Sequence, residues 1–313
     1  MSEKSLTVVI PVFNEEEVIS ETVKRLMTLE ENIKPGWRLE FIFVDDGSRD
    51  ATLEILSGVA ASDRRVKVIA LSRNFGHQIA LTAGIDLSKG DYVAVIDADL
   101  QDPPELIIEM LEIAETGYDV VYGKRISRRG ESWLKKLSAY LFYRFINFMS
   151  DTDLPRDTGD FRVMSRRVVD GLSGMRERHR YIRGMVPWLG FASFGFEYRR
   201  EERFAGETKY PLRKIIKFGL EAVLSFSTAP LTMAIRLGAF VMFLGFLIGV
   251  WIVGLKIFTS IVVPGLASIV SLIIIFNGLQ ILLIGLVGLY VSRIFEETKG
   301  RPLYIVSTVI NDE

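Results

Sequence analysis

The sequence of 313 residues contains no cysteine and only two histidines, and these absences exclude several kinds of chemistry. Without cysteine there is no disulfide, thiolate nucleophile, cysteine zinc site or iron–sulfur cluster. With His77 and His179 as its only histidines, the chain cannot build a metal site mainly from imidazole. The formal net charge of −1 argues against a nucleic-acid partner held by bulk electrostatics. We therefore expect no nucleic-acid binding.

Charge is missing from two long stretches in the last third of the sequence. Residues 237–255 and 266–292 contain no Asp, Glu, Lys or Arg. Each stretch is long enough to cross about 30 Å of hydrocarbon, although two buried core helices are the alternative. The connection between them carries one charge, Lys256, and the turn-forming pair Pro264-Gly265. We therefore expect a transmembrane hairpin of two helices, at about 229–255 and 266–292.

Cations flank these two stretches on their outer sides. Arg236 and a group of Lys and Arg residues between 199 and 217 precede them, and Arg293, Lys299 and Arg301 follow. By the positive-inside rule both termini should be cytoplasmic, and no apolar run near the start resembles a secretory signal. The expected organisation is a catalytic domain at 1–210, an interfacial helix at 211–228, two spans within 229–292 and a cytoplasmic tail at 293–313.

Short apolar runs rich in β-branched residues alternate with helical patterns in the first part of the chain. The predicted strands are 6–11, 39–45, 66–71, 92–97 and 119–123, and the predicted helices are 15–29, 52–61, 78–87 and 104–116. Asn14 and Asp50 are suited to cap the first two helices. This alternation predicts an α/β fold with a mostly parallel sheet covered by helices on both faces. Ligands of such sheets bind beyond the carboxyl ends of the strands.

Carboxylates cluster directly after two of these runs. Asp45-Asp46 follow the second run, and the segment 97–102 places three more after the fourth. Helix capping explains some of these acids but not all, and like charges this close need a cation to share them. Oxygen ligands without Cys or His favour magnesium or manganese, which commonly hold a phosphate-bearing substrate. A P-loop and a dinucleotide-binding G-x-G-x-x-G are both missing.

The same segments carry a resemblance to a known family. VIPVFNE at 9–15, VDDGS at 44–48 and DAD at 97–99 resemble family 2 glycosyltransferases of the GT-A fold, which is Rossmann-like. A narrower likeness, to polyprenyl-phosphate glycosyltransferases such as dolichyl-phosphate mannose synthases and bactoprenol glucosyltransferases, extends over nearly the whole chain. It is carried by NFGHQ at 74–78, DADLQDPP at 97–104, DTGDFR at 157–162 and RFAGETKY at 203–210. The Q-x-x-R-W motif of processive members is missing, so a single transfer is expected.

The resemblance implies an activity and partners. The expected reaction is an inverting transfer of a hexose, with glucose from UDP-glucose as the leading donor, to undecaprenyl phosphate. It would occur at the cytoplasmic face of the bacterial inner membrane and serve cell-envelope glycan modification of the O-antigen type. Mannose or an aminoarabinose derivative is an alternative sugar, and a non-catalytic, membrane-tethered nucleotide-sugar-binding protein is an alternative of another class. A homo-oligomer is also implied, with a tetramer as one form.

The resemblance also implies roles for individual residues. A divalent metal, Mg or Mn, would be held by Asp99 as its leading ligand, with Asp97 and Gln101 as supporting ligands or as residues that position the ligands. The donor-binding residues would be Pro11, Val12, Asn14, Glu15, Asp45, Asp46, Asp97, Arg203 and Lys209, although Asp45 could instead form a turn by binding backbone amides. The acceptor phosphate would be bound by Arg125 and by Lys135 or Lys136.

The catalytic residues implied in this way are Asp160, Asp157 as its rival, and the metal ligand Asp99. The attacking phosphate oxygen is already an anion near neutral pH, so the reaction does not demand a strong general base. Asp160 could therefore orient the acceptor, and an ordinary helix cap is the alternative for it. His77 is expected to begin a helix near the site and not to act as a base.

Two further segments have the pattern of amphipathic helices. The segments 133–149 and 211–228 place apolar residues on one face and cations largely on the other. Such helices can lie in the membrane interface and hold a catalytic site at headgroup depth. Packing of the same apolar faces against the catalytic domain is the alternative.

Overall fold

The structure, a computed structural model, describes residues 4–126, 158–200, 229–258 and 265–312. The described residues form two compact units, one built around a β-sheet and one consisting of two long helices. The predicted interfacial helices at 133–149 and 211–228 lie outside the described residues. So do five of the predicted site residues, which are Lys135, Lys136, Asp157, Arg203 and Lys209.

The first unit contains an eight-stranded sheet in the order β7-β5-β6-β4-β1-β2-β3-β8. The strands are β1 (Lys4–Val12), β2 (Trp37–Asp45), β3 (Val66–Leu71), β4 (Tyr92–Val95), β5 (Val120–Arg125), β6 (Thr158–Ser165), β7 (Ser193–Tyr198) and β8 (Val306–Ile310). Six strands run in one direction, while β6 and β8 run antiparallel to their neighbours. The predicted α/β fold with a mostly parallel sheet is confirmed.

Helices cover this sheet and fix its core. They are α1 (Ile19–Met27), α2 (Leu29–Asn32), α3 (Thr52–Ser62), α4 (His77–Leu87), α5 (Leu106–Glu115), α6 (Arg166–Gly174) and α7 (Ile182–Trp188). The central strand β1 is buried from Leu6 to Val12, as expected of a parallel strand covered on both faces. Phe41, Phe43 and Phe161 are among the largest fully buried side chains. Packing of these apolar strands against the helices therefore carries most of the stability of this unit.

One predicted helix start is wrong. Helix α1 begins at Ile19 with Val18 at its cap position, and not directly after Asn14. Asn14 adopts a left-handed conformation with φ of 53°, and its side-chain oxygen accepts a hydrogen bond from the backbone N–H of Arg49 at 2.8 Å. Its side chain therefore stabilises the loop after β2, which is far away in sequence.

The second unit contains α8 (Ala229–Phe258) and α9 (Leu266–Thr298). Each helix contains a segment long and apolar enough to cross a membrane, Leu231–Ile248 with a mean hydropathy of 2.1 and Phe276–Thr298 with 1.8. Large apolar side chains on both helices are exposed, including Trp251 at 69% and Ile281 at 71%. Apolar surface of this extent is unfavourable in water and marks a contact with lipid or protein.

The segment 293–313 was predicted to be a cytoplasmic tail, and no strand was predicted in it. Residues 306–310 form β8 and complete the sheet by antiparallel pairing with β3. Asn311 secures the end of this strand with its side-chain amide, which donates to the backbone carbonyl of Val66 at 3.0 Å. The tail is therefore an integral part of the sheet unit.

Candidate active site

A cavity of about 540 Å³ lies beyond the carboxyl ends of β1, β2 and β3. Asn14, Asp45, Arg73 and Asn74 line it from these three strand ends. The loops that form its walls are held together by hydrogen bonds. The backbone N–H of Asn14, for example, donates to the Ser48 hydroxyl at 3.0 Å. The predicted ligand position beyond the strand ends therefore coincides with a formed cavity of ordinary ligand size.

The turn after β2 forms one wall of this cavity. The Asp45 carboxylate accepts a hydrogen bond from the backbone N–H of Ser48 at 3.2 Å, as expected of a turn-forming Asp, and it also lines the cavity. Gly47 has a φ of 72°, and a Cβ added there would lie 2.7 Å from the carbonyl carbon of Arg73. Because both its conformation and its contact exclude a side chain, glycine lets this turn lie directly against the loop after β3.

Asp46 has a different role from that of its neighbour Asp45. Its side chain is buried, and its two oxygens accept hydrogen bonds from the backbone N–H groups of Phe75 at 2.7 Å and Gly76 at 2.9 Å. Burial raises the pKa of Asp46 above its ordinary value, while the two amide hydrogen bonds act in the opposite direction. Asp46 therefore fixes the loop that carries Asn74 into the cavity and leads into α4.

Beyond β4 and β6 lies a second group, which we call the charged cluster and which begins with His77, Asp97 and Asp160. The antiparallel register pairs Val95 with Arg162, which places Asp97 opposite Asp160. The Nε2 atom of His77, at the start of α4, lies 3.5 Å from Asp97 Oδ1 and 3.3 Å from Asp160 Oδ2. Candidate ligand atoms of these three residues lie within 4.8 Å of one another, so the group could hold a metal ion.

Asp160 is fully buried and is held by neighbours on two helices. Arg183, from α7, donates to both of its oxygens at 3.0 and 2.9 Å, and Gln78 from α4 donates at 3.2 Å. Burial acts to raise the pKa of Asp160, but the charge of Arg183 and the hydrogen bond from His77 outweigh it and hold the pKa well below its usual range. Asp160 is therefore a fixed carboxylate and a weak base.

His77 has the opposite perturbation. Burial acts to lower its pKa, but the hydrogen bond to Asp160 and the charge of Asp97 raise it to about 9. A protonated imidazole donates hydrogen bonds and cannot accept a proton, so His77 is unsuited to act as a general base. The prediction that His77 begins a helix beside the site is confirmed.

Asp97 is the member of the charged cluster best suited to bind a divalent metal. Its Oδ1 is buried and accepts no hydrogen bond within the described residues, and burial raises its pKa. The next acid, Asp99, is partly exposed like Asp97 and accepts a hydrogen bond from the backbone N–H of Gln101 at 3.2 Å. Unsatisfied carboxylate oxygen at a tight turn suits a hard cation such as Mg or Mn. The residues present therefore fit a metal, to which Asp97 offers a buried oxygen without a hydrogen bond within the described residues.

The charged cluster continues through Asp102, which is completely buried. The Tyr198 hydroxyl donates to Asp102, and Arg125 Nη2 lies 3.3 Å from its Oδ2. Arg200 adds a second positive charge. Its Nε atom lies 3.3 Å from Asp102 Oδ1, without hydrogen-bond geometry, and its Nη2 atom lies 4.0 Å from Asp99 Oδ2. A Cβ at Gly159 would collide with the Arg125 guanidinium, so glycine makes room for that side chain. Asp102 thus positions Arg125, the predicted ligand of the acceptor phosphate.

The other predicted donor residues are placed in β1 and just after it. Pro11 and Val12 are buried within the strand, so that their backbone and not their side chains can face a ligand. Glu15 is partly exposed, and its backbone N–H donates to the Thr52 hydroxyl at 2.9 Å. These positions shape the loop beside the cavity.

Sequence reasoning missed several residues of the charged cluster. They are Gln78, Asp102, Arg183, Tyr198 and Arg200. Gln78 and Asp102 stand inside the family-like segments, which was an available signal. Arg183 and Tyr198 lie in segments without a recognised motif, and only the fold brings them to the acids.

Comparison with known proteins identifies the family. The model of glycosyl transferase family 2 matches residues 7–172. A glycosyltransferase of Bacillus subtilis, YkcC, named as uncharacterized, is 47% identical over 300 residues, which cover 96% of this chain and 92% of that protein. The chain belongs to glycosyl transferase family 2. It is therefore a glycosyltransferase, and the predicted family is confirmed.

Two further family 2 relatives cover the same extent of the chain. A glycosyltransferase of Synechocystis, also named as uncharacterized, is 41% identical, with 96% of this chain and 94% of that protein covered. The bactoprenol glucosyl transferase of Shigella phage SfX is 39% identical, with 97% of this chain and 99% of that protein covered. Because coverage is nearly complete, the likeness to this glycosyltransferase includes both the sheet unit and the two apolar helices.

Proposed function

We propose that this glycosyltransferase transfers a hexose, with glucose from UDP-glucose as the leading donor, to a polyprenyl phosphate such as undecaprenyl phosphate. The observation that carries the proposal is the likeness, at 39% identity and over nearly the full length of both chains, to a bactoprenol glucosyl transferase. The cavity, the charged cluster and the two apolar helices supply the three parts that such a reaction needs. These are a nucleotide site, a phosphate-handling site and a means of meeting a lipid.

The donor would bind across the carboxyl edge of the sheet. Its nucleoside fits the cavity beside Asp45, and its diphosphate would lie at the charged cluster. Asp97, Asp99 and Gln101 would hold Mg or Mn there, with Arg203 and Lys209 as further phosphate ligands. When bound, the metal would neutralise charge that develops on the diphosphate leaving group.

The acceptor already carries its nucleophile. A phosphate oxygen of the lipid attacks the anomeric carbon while the bond from that carbon to the diphosphate breaks, and the electron pair leaves with UDP. A single displacement of this kind inverts the anomeric configuration. The main task for the protein is to hold two anions together, for which Arg125 and Lys135 or Lys136 are the proposed cations.

Asp160 would orient the acceptor site and would not remove a proton. Both of its oxygens are bound by Arg183, and its pKa is held well below the usual range, so it is a poor base. Its fixed negative charge instead holds His77 and Arg183 in place at the edge of the charged cluster. Asp157 remains the alternative catalytic carboxylate.

The two apolar helices would anchor the enzyme in the bacterial inner membrane. In this proposal α8 and α9 both cross the bilayer, and the catalytic domain and both termini are cytoplasmic. The cations that flank the two helices favour this orientation. The segments 133–149 and 211–228 would lie at the interface, and a homo-oligomer, for example a tetramer, would form around the spans.

A donor screen tests the reaction. The purified full-length protein in detergent is incubated with undecaprenyl phosphate, Mg or Mn, and radiolabelled UDP-glucose, GDP-mannose or a UDP-aminoarabinose derivative. We expect lipid-linked product from UDP-glucose, its loss in Asp99→Asn, and normal product in the control Asp170→Asn, whose side chain is 67% exposed. A wild type that binds nucleotide but forms no lipid-linked product with any donor would leave the non-catalytic binding protein as the explanation.

A further inference from the structure

Strand β8 contains an irregularity where it passes the cavity. In its antiparallel pairing with β3, Ala70 lies opposite Thr308 and Leu71 lies opposite Val306. Ser307 is therefore an extra residue on β8, which makes a β-bulge at this point. Bulges are common beside functional sites, because the extra residue redirects the side chains around it.

The bulge faces the same cavity as the ends of β1, β2 and β3. Ser307 and Thr308 both line it, together with Asn14 and Asp45. The tail thus brings two hydroxyl groups to a cavity whose other polar groups come from the first 74 residues of the chain.

The tail is fixed on both sides of the bulge. Before it, the Tyr304 hydroxyl donates to Asp86 at 3.1 Å, and the carbonyl of Ile305 accepts the backbone N–H of Ser72 at 2.9 Å. After it, Asn311 adopts a φ of 59° and donates to the carbonyl of Val66. These contacts hold the backbone of Ser307 and Thr308 in place before any ligand binds, which lowers the entropy cost of binding.

The groups around the cavity include hydroxyls and a carboxylate that can bind the nucleoside end of a donor, beside two cations, Arg49 and Arg73. Four of its lining residues, Ser48, Ser72, Ser307 and Thr308, carry hydroxyls, which both donate and accept hydrogen bonds. Asp45 contributes a carboxylate, which would repel a phosphate but accepts hydrogen bonds from a base or a ribose. A volume of about 540 Å³ is also within the usual range for a small-molecule site.

We propose that β8 forms one wall of the nucleoside-binding site and that the Ser307 and Thr308 hydroxyls bind the base or ribose of the nucleoside diphosphate donor. This inference rests on the proposed function, because it assumes a nucleotide-sugar donor. It makes the two residues determinants of donor affinity. It also gives the segment that follows the two apolar helices a direct part in substrate binding.

The test is nucleotide binding by the full-length protein in detergent, with UDP and GDP as probes in calorimetry. Thr308→Val keeps a β-branched side chain without the hydroxyl, and Ser307→Ala removes the other hydroxyl. We expect UDP affinity to fall about 3- to 10-fold in each, because each variant loses one hydrogen bond. The donor KM should rise by a similar factor, while kcat and the KM for undecaprenyl phosphate stay unchanged. Ile305→Ala is the matched control, since this tail side chain is 54% exposed and does not line the cavity.

The outcomes separate this inference from the proposed function. Unchanged UDP affinity in the Thr308→Val/Ser307→Ala double variant would overturn the inference even if lipid-linked glucose is formed normally. A fall in kcat together with a lower melting temperature, at unchanged KM, would also overturn it, since that pattern indicates a structural role. If UDP binding weakens as expected while the wild type forms no lipid-linked product, the inference stands and the proposed acceptor fails. A wild type that binds neither UDP nor GDP would contradict both.

Discussion

The two halves of the carboxyl edge of the sheet are built in different ways. Around the cavity, polar side chains bind backbone amides, as Asp45 does with Ser48 and Asp46 does with Phe75. In the charged cluster, carboxylates pair with cationic side chains, as Asp160 does with Arg183. In the first half, these hydrogen bonds hold the loops around the cavity in place. The second half holds charges that a phosphate or a metal can compete for.

The two halves therefore differ in what they contribute: the cavity contributes a fixed shape, and the charged cluster contributes reactive charge. Backbone hydrogen bonds fix a cavity whatever the ionic conditions, and such a cavity suits the unreactive nucleoside end of a substrate. Ion pairs at the edge of a buried site are sensitive to an added charge. They suit the phosphate end of a substrate, where a bond breaks and negative charge develops. Substitutions that affect one half and spare the other can test the distinction.

The largest effect is expected from Arg183→Met, in the charged cluster. Asp160 would lose its main partner while fully buried, which should lower the free energy of unfolding by about 3 kcal/mol and reduce turnover by roughly 100-fold or more. Binding of uridine, which lacks the diphosphate, should be retained, because the cavity does not depend on this pair. Chemical unfolding, calorimetry and turnover measurements check the three parts.

The matched control for that substitution is Arg167→Met. Arg167 also pairs with a carboxylate, Asp119, at 2.6 Å, but its side chain is 71% exposed. Although Asp119 is buried, water screens the exposed guanidinium of Arg167, so turnover should be unchanged. Equal losses of turnover in both variants would show that the buried position of the Asp160 pair has no special importance.

Gly47→Ala tests the cavity half, with the next largest effect. The new Cβ would meet the backbone at Arg73 and strain a left-handed residue, so we expect a stability loss of about 2 kcal/mol and weaker UDP binding. Turnover at saturating donor should fall much less. Gly36→Ala is the control, since Gly36 also has a positive φ of 88° but has nothing within 4 Å of the added carbon. If both variants lose UDP affinity equally, the contact with Arg73 does not shape the cavity.

Asp46→Asn should have a smaller effect of the same kind. Its amide keeps one acceptor oxygen, so one of the two backbone N–H groups at Phe75 and Gly76 loses its partner. The expected cost is about 1 kcal/mol of stability, with a modest rise in donor KM. Urea unfolding and steady-state kinetics measure both. A complete loss of turnover at an unchanged stability would instead indicate direct contact between Asp46 and the substrate.

Much of the fold could be predicted from sequence because parallel buried strands are continuous apolar runs. The strand at 66–71 has the predicted bounds, and that at 92–97 ends two residues early, at Val95. The strands β6, β7 and β8 were not predicted. Of these, β8 is only five residues long and follows an apolar helix, so its pairing with β3 leaves little local signal.

The candidate site, like the fold, could be predicted from the sequence only in part. Asp97 and Asp160 could be selected from their motifs, yet their proximity depends on the register between β4 and β6. The partners Arg183 and Tyr198 could not be predicted, because one Arg or Tyr among many has no local mark of an ion pair formed across the fold. Asp102 lies inside a recognised motif, but its role depends on ion pairs that only the fold brings together.

The smallest expected effect is on the pH dependence of the free energy of unfolding. It arises from Asp119, which belongs to neither half of the carboxyl edge. Burial acts to raise the pKa of Asp119, but Arg167 and Ser165 bind its carboxylate and hold the pKa below the ordinary 3.8. A depressed pKa gives stability that is present above the unfolded value and is lost as the pH falls below it. Wild type should exceed Asp119→Asn by about 0.5 kcal/mol near pH 7 and lose this advantage below about pH 4. A difference that is constant with pH would contradict the depressed pKa.

The pairing of β8 with β3 has a consequence for how the protein is made. A ribosome completes β3 long before residues 306–310, so β3 remains a bare edge strand while both apolar helices are synthesised. During that interval the sheet has unpaired backbone groups, which are a risk for aggregation. The cavity beyond β1, β2 and β3 also lacks the residues of β8 that line it until the tail has been synthesised. A fully formed nucleotide site would therefore belong only to chains that have been translated past both helices.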